Sequence, residues 1–286
     1  MPYLLAVCAA LCAATGAAVH HREIAEVDEE KSKGLRLILA SLKRPGYLVG
    51  FAVLIGAFGF QFAALRVGDL TQVQPVLVTE LLFLLVIIVV THNQRPGPRE
   101  WTAAVLIVAG LSLFLAAAHP HGGIKTLSTS WAVTLTIVIG IVVASLFGLS
   151  RLWTGWSRAA LLGAAASACF AYQAAMTKIV AGLHIGELLT SPALYLLGLG
   201  GALGFFLYTL ALRAGHVAAS RASMNIINPL VSVIIGVVVF NELLRHTPMA
   251  IVLEVIGLVI LVIGARALAT SPLISEGDEE PQATIP

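Results

Sequence analysis

The feature that most constrains this chain is the regular return of long apolar runs. Stretches of about 18 to 25 apolar residues, long enough to cross the hydrocarbon of a bilayer as a helix, are each closed by charge, proline or turn residues. They fall at residues 3–20, 46–66, 70–91, 101–118, 131–150, 159–180, 192–213, 217–240 and 249–269. Hydrophobic residues make up 58% of the 286 and charged ones 11%, which leaves too little polar surface to coat a soluble globule. In lipid every backbone N–H and C=O must be satisfied within the protein, so runs of this length fold as helices. The expected fold class is all-α: a polytopic transmembrane helix bundle of about nine spans.

Lysine and arginine set the orientation. With the N-terminus outside and the C-terminus cytoplasmic, thirteen basic residues fall on the cytoplasmic side and four, Arg66, Lys125, Lys178 and Arg245, fall outside. The opposite orientation inverts the ratio. The expected location is the cell (inner or plasma) membrane. The first run has small residues near its end but lacks the basic region of a signal peptide, so a retained helix is expected. Cys8, Cys12 and Cys169 lie in apolar runs and read as small packing residues.

The chain repeats itself. ALRVGD at 64–69 returns as ALRAGH at 211–216, and the same ungapped register sets Trp101 opposite Pro248 and VAGL (108–111) opposite VIGL (255–258). ALCAATGAAVH (10–20) likewise overlays ACFAYQAAMTK (168–178). Spans one to four therefore correspond to spans six to nine, with span five between them turning the second set over. Two inverted repeats are a device of secondary transporters. The expected organisation is a first repeat at 1–118, an outer loop and linking helix at 119–158, a second repeat at 159–269, and a disordered cytoplasmic tail at 270–286. Within the first repeat, 21–45 is expected to form an amphipathic cytoplasmic segment, with Leu35, Ile38, Leu39 and Leu42 on one face among basic residues.

ALRVGDLTQVQPVLVTELLF and its counterpart ALRAGHVAASRASMNIINPLVSVIIGVVVFNELL resemble the drug/metabolite transporter superfamily of EamA-like proteins. There an "AL" turn leads to a mid-helix proline and a glutamate at the helix end, here Glu242. The spacing is closest to the branch of NIPA-type magnesium transporters and related actinobacterial membrane proteins, in which the fourth helix runs into a short His-Pro segment, here AAAHPHGG. The resemblance covers most of residues 1–270. It departs from the family in that the charged stretch HREIAEVDEEKSKGLRLILASLKRPG stands where the family has its second helix. The resemblance implies transport and leaves the substrate open.

Polar groups inside the spans are where chemistry is sought, because lipid offers them no partner. Gln61, Gln72, Gln74, Thr79 and Glu80 gather in spans two and three, Tyr172 and Gln173 in span six, and Asn225 and Asn228 in span eight. Pro75 and Pro229 each remove a backbone donor within a helix and are expected to open it toward a cavity. Glu80 and Glu254 are the two carboxylates well inside spans. Glu80 is the candidate to carry a proton or to ligate a cation; its structural alternative is a pairing with Lys178. Glu254 lies within about two turns of a helix end and can snorkel.

No GxxxxGK[ST] sequence is present and no nucleophile, base and orienter can be picked out, so an enzyme is not expected and no cofactor or metal is implied. No nucleic-acid module is recognisable. The expected partners are the bilayer and a small-molecule or cation substrate, with room for a homodimer. The expected function is a secondary transporter moving a small metabolite or drug-like solute by alternating access, coupled to a proton or ion gradient through Glu80. The alternatives are a NIPA-like divalent-cation transporter and a non-transporting membrane scaffold or subunit.

Overall fold

The computed structural model describes residues 1–25, 45–92, 95–120, 122–124, 127, 129–214, 217–245 and 247–271. These form ten α-helices: α1 (Pro2–Ala25), α2 (Pro45–Val67), α3 (Leu70–Leu77), α4 (Glu80–His92), α5 (Pro98–Ala118), α6 (Thr129–Ser150), α7 (Gly155–Gly182), α8 (Pro192–Arg213), α9 (Val217–Val239) and α10 (Pro248–Ala269). The amphipathic reading of 21–45 rests mainly on residues 26–44, which lie outside the described residues, as does the tail from 272 onward.

Eight segments are long and apolar enough to cross a membrane, with α3 and α4 together supplying one of them, Leu70–Thr91. The protein is therefore an all-helical, multi-pass membrane protein. α9 has 23 residues, but its apolar part is only Ile226–Val239, because Arg221, Ser223 and Asn225 fall in its first half.

Local sequence explains the helix starts. α5, α8 and α10 each begin with a proline, whose missing N–H is one that a first helical turn would leave unpaired anyway. The preceding Ser191 accepts from the Ala193 N–H, and Thr247 from the Ala250 N–H, so the first turn is capped by side chains. α1 runs five residues past the expected limit of 20, through HREIA.

Small residues decide the packing. α7, rich in alanine, is the most enclosed helix, with 72% of its span buried, and α2, α6, α8 and α9 all pack against it. Ala165, Ala166, Ala171 and Ala175 have no exposed surface, so neighbouring backbones come close and dispersion replaces the hydrophobic driving force that lipid does not provide. α1 packs along α2 and against both α3 and α4. Large apolar side chains such as Trp101, Val105, Ile137, Ile141, Phe205 and Val255 point outward.

α5 and α10 form the most extensive helix pair. They run antiparallel: Arg99 donates to Thr270 at one end, and the Arg245 N–H donates to the Ala118 carbonyl at the other. Their backbones touch at glycines. A Cβ on Gly110 would stand 2.7 Å from the Gly257 carbonyl oxygen, and one on Gly257 would stand 2.6 Å from the Phe114 nitrogen.

Candidate functional site: a carboxamide cavity beside a broken helix

Span three is not one kinked helix. Pro75 sits inside α3, and the break comes at Val78 and Thr79, where the chain tightens: the Val78 N–H donates to the Pro75 carbonyl at 3.2 Å and the Thr79 N–H to the Val76 carbonyl at 3.0 Å. The Thr79 hydroxyl donates to the same Val76 carbonyl at 2.7 Å, holding the break from the side. α4 then begins at Glu80. The first N–H groups of α4 stay in use across the break: Leu81 donates to the Val78 carbonyl, and Leu82 and Phe83 to the Thr79 carbonyl.

Beside this break lies a cavity of about 230 Å³, lined by Gln61, Gln74, Leu77, Val78, Glu80, Phe170, Gln173, Ala174, Met224, Asn228 and Pro229. Four helices and the break meet there: α2 brings Gln61, α3 Gln74, α7 Gln173 and α9 Asn228. Glu80 is the one ionisable side chain in the lining, and four carboxamides surround it. Two of those amides have unused capacity. Gln74, 3% exposed, has its Nε2 buried with no hydrogen-bond partner, and the Asn228 Oδ1 is buried in the same state. Buried amides in a native protein are nearly always paired, so an unpaired donor and an unpaired acceptor at one cavity are groups a guest can satisfy.

Of the residues anticipated from sequence, the cavity brings together Gln61, Gln74, Glu80, Gln173, Asn228 and Pro229. Others serve elsewhere. Gln72 works at the start of α3, where its Oε1 accepts from the Asp69 N–H and its Nε2 donates to the Pro120 carbonyl. Thr79 is occupied at the break, and Pro75 is buried within α3. The Tyr172 hydroxyl is bonded to Thr136 at 2.8 Å and ties α7 to α6. Asn225 lies on α9, and its side chain is outside the described positions. Glu254 does not snorkel. It is 8% exposed within α10, a helix that packs against α5 and α9, and it is not part of the cavity lining.

The pairing of Lys178 with Glu80 also gives way. Lys178, 2% exposed, places its Nζ 2.6 Å from Glu242 Oε1 and 3.1 Å from Asp69 Oδ1, and lies 4.8 Å from the centre of the Phe240 ring. Glu242 in turn accepts from the Leu70 N–H at 2.6 Å and the Thr71 N–H at 2.8 Å, capping the start of α3. Gly123 lies directly over the three charges: a Cβ there would stand 2.5 Å from Asp69 Oδ1 and 2.9 Å from the Lys178 ammonium. Sequence reasoning saw Glu242 only as a helix-end glutamate and missed its partners. Asp69 and Glu242 sit at helix ends, where carboxylates are ordinarily solvated, and nothing in the one-dimensional pattern says that the ends of α3, α7 and α9 meet.

An uncharacterized protein of Corynebacterium glutamicum is similar to this chain, 26% identical over 282 residues that cover 96% of this chain and 97% of that protein. No family model and no solved structure matches the chain.

Proposed function

We propose that this protein is a secondary transporter of the drug/metabolite, EamA-like type, which moves a small solute by alternating access and couples that movement to a proton or ion gradient through Glu80. The observation that carries the reading is the cavity: a carboxylate at the mouth of a broken helix, ringed by four carboxamides, two of them with an unpaired buried group. A scaffold helix has no use for polar groups left unpaired in its interior, where each lost hydrogen bond costs about 1–3 kcal/mol.

The reading includes two inverted repeats. The register that sets ALRVGD on ALRAGH also sets Gly110 on Gly257 and Phe114 on Leu261. Those residues meet one another: Gly110 abuts Gly257 and Leu261, and Gly257 abuts Gly110 and Phe114. Reciprocal contacts of this kind belong to a two-fold axis, and because α5 and α10 are antiparallel such an axis lies in the membrane plane. On this reading the bundle has nine spans, α9 included, with the N-terminus outside and the C-terminus in the cytoplasm of a cell whose inner or plasma membrane holds it.

A cation as cargo is the second reading, and one observation favours it: five oxygen-bearing side chains and no basic one line a small cavity, a donor set suited to a cation that keeps part of its water. Proteoliposomes loaded with a panel of metabolites, drug-like solutes and divalent cations, under an imposed pH gradient, separate the two. Gradient-driven uptake of an organic solute that Glu80→Gln abolishes supports the first; metal uptake without it supports the second. No flux of any solute leaves the scaffold reading.

A further inference from the structure

We infer that Lys178, Asp69 and Glu242 form the closed gate of this cavity, a latch that seals one end of the bundle and is mechanically joined to Glu80 by α3; the inference rests on the transporter reading above. The latch spans the two halves of the sequence, with Asp69 from the first and Lys178 and Glu242 from the second. It lies at the end of the bundle where α7 and α9 finish and α3 starts. The cavity lies deeper. Gln173 is about 7 Å before Lys178 along α7, and Met224 is more than 20 Å back from the end of α9, by helical rise.

Between the latch and the cavity the bundle is shut. Leu70, Thr71, Val73 and Phe240 have no exposed surface and fill the space under the three charges, and Gly123 of the HPHGG loop covers them from above. By contrast Gln61, Leu77, Glu80, Gln173 and Met224 on the cavity wall are only half-buried. Fully buried side chains thus close the Lys178 end, while the cavity wall below them is partly exposed. Alternation requires that this seal open, and what opens must break the Lys178 contacts.

α3 makes the connection. It is eight residues long, its first two N–H groups are held by Glu242, its N-terminal flank Asp69 is held by Lys178, and its other end carries Leu77 and the break that precedes Glu80. A rigid helix this short cannot keep one end in the latch while the other moves. Release of the latch frees α3, and a change of charge or of ligation at Glu80 bears on the same helix from below.

The test reads accessibility and needs no substrate. In full-length protein with Cys8, Cys12 and Cys169 replaced by alanine, Leu77→Cys is labelled with a membrane-impermeant maleimide in sealed vesicles. Leu189→Cys, in the loop after α7, and Leu152→Cys, in the turn before it, mark the two faces. The expected result is labelling of Leu77→Cys only from the face that labels Leu152→Cys. Adding Lys178→Met, or the charge-neutral pair Lys178→Met with Glu242→Gln should the single change fail to fold, raises labelling from the Leu189 face at least tenfold. Lys178→Arg keeps the original pattern. Labelling of Leu77→Cys from the Leu189 face in the unaltered background, or unchanged sidedness in a folded variant without the latch, overturns the gate. A switch of side in a protein that moves no solute sustains the gate and overturns the transporter reading, whereas flux with an unswitched label does the reverse.

Discussion

Two of the polar clusters among the described residues are built on opposite principles. In the Lys178 cluster every strong group is used: the ammonium faces two carboxylates and a ring, and Glu242 also takes two backbone N–H groups. In the cavity around Glu80 the carboxamides of Gln74 and Asn228 keep a buried donor and a buried acceptor unused. Satisfied charge rigidifies, while unsatisfied amide invites a guest, because the cost of leaving it bare is recovered when something binds. α3 has one cluster at each end, so the ion-paired one can hold the other in place.

Substitutions should separate the clusters by stability. The largest effect is expected at the latch: Lys178→Met strands two carboxylates in the bundle and should lower unfolding stability in detergent by about 3–5 kcal/mol. Most of that loss should return in the double variant with Glu242→Gln, since the stranded charge rather than the missing pair carries the cost. Thermal unfolding followed by a thiol-reactive dye, with the native cysteines as reporters, measures both. If Lys178→Met melts like the unaltered protein, the two clusters do not differ in the way described.

Next in size is the glycine contact of α5 with α10. Gly257→Leu forces a side chain into the Phe114 backbone and should cost about 1–3 kcal/mol, with the helices displaced rather than unfolded. Smaller in stability but complete in function is Glu80→Gln. It keeps shape and hydrogen bonding while removing titration, so unfolding should shift by less than about 1 kcal/mol and gradient-driven uptake should vanish. Glu80→Asp should keep uptake and move its pH optimum. The smallest stability change is expected at Gln74→Leu, which removes an amide whose Nε2 has no partner. Unfolding should stay within about 0.5 kcal/mol of the original or improve, while solute affinity weakens about tenfold, near 1.4 kcal/mol. A marked destabilisation by Gln74→Leu would make the cavity amide structural, like its counterparts in the latch.

Much of the bundle was legible from one dimension. Apolar length foretold eight of the spans because lipid admits few alternatives to a helix; the starts read from it at 101, 192 and 249 lie at or just after the prolines, Pro98, Pro192 and Pro248, that open those helices. Intramembrane amides pointed to Gln61, Gln74, Gln173 and Asn228 for a similar reason: lipid offers them nothing, so they turn inward. Gln72 and Thr79 misled because they satisfy local backbone at the start and at the break of α3, a use that polarity alone does not distinguish from lining a cavity. Glu254 misled because distance from a helix end says nothing about which neighbours cover that end.

What the sequence determined by itself, then, is the solvent, the helices and the inventory of polar groups, since each depends on residue type and on spacing along a single segment. The tertiary structure alone decided three things: that span three breaks beside Glu80 and sets it at a helix start, that Lys178 belongs to Glu242 and Asp69, and that four amides from four helices share one cavity. The last two are meetings of residues far apart in the chain. Such meetings are chosen by the close approach of alanine and glycine faces, and many pairs of apolar helices offer faces of that kind.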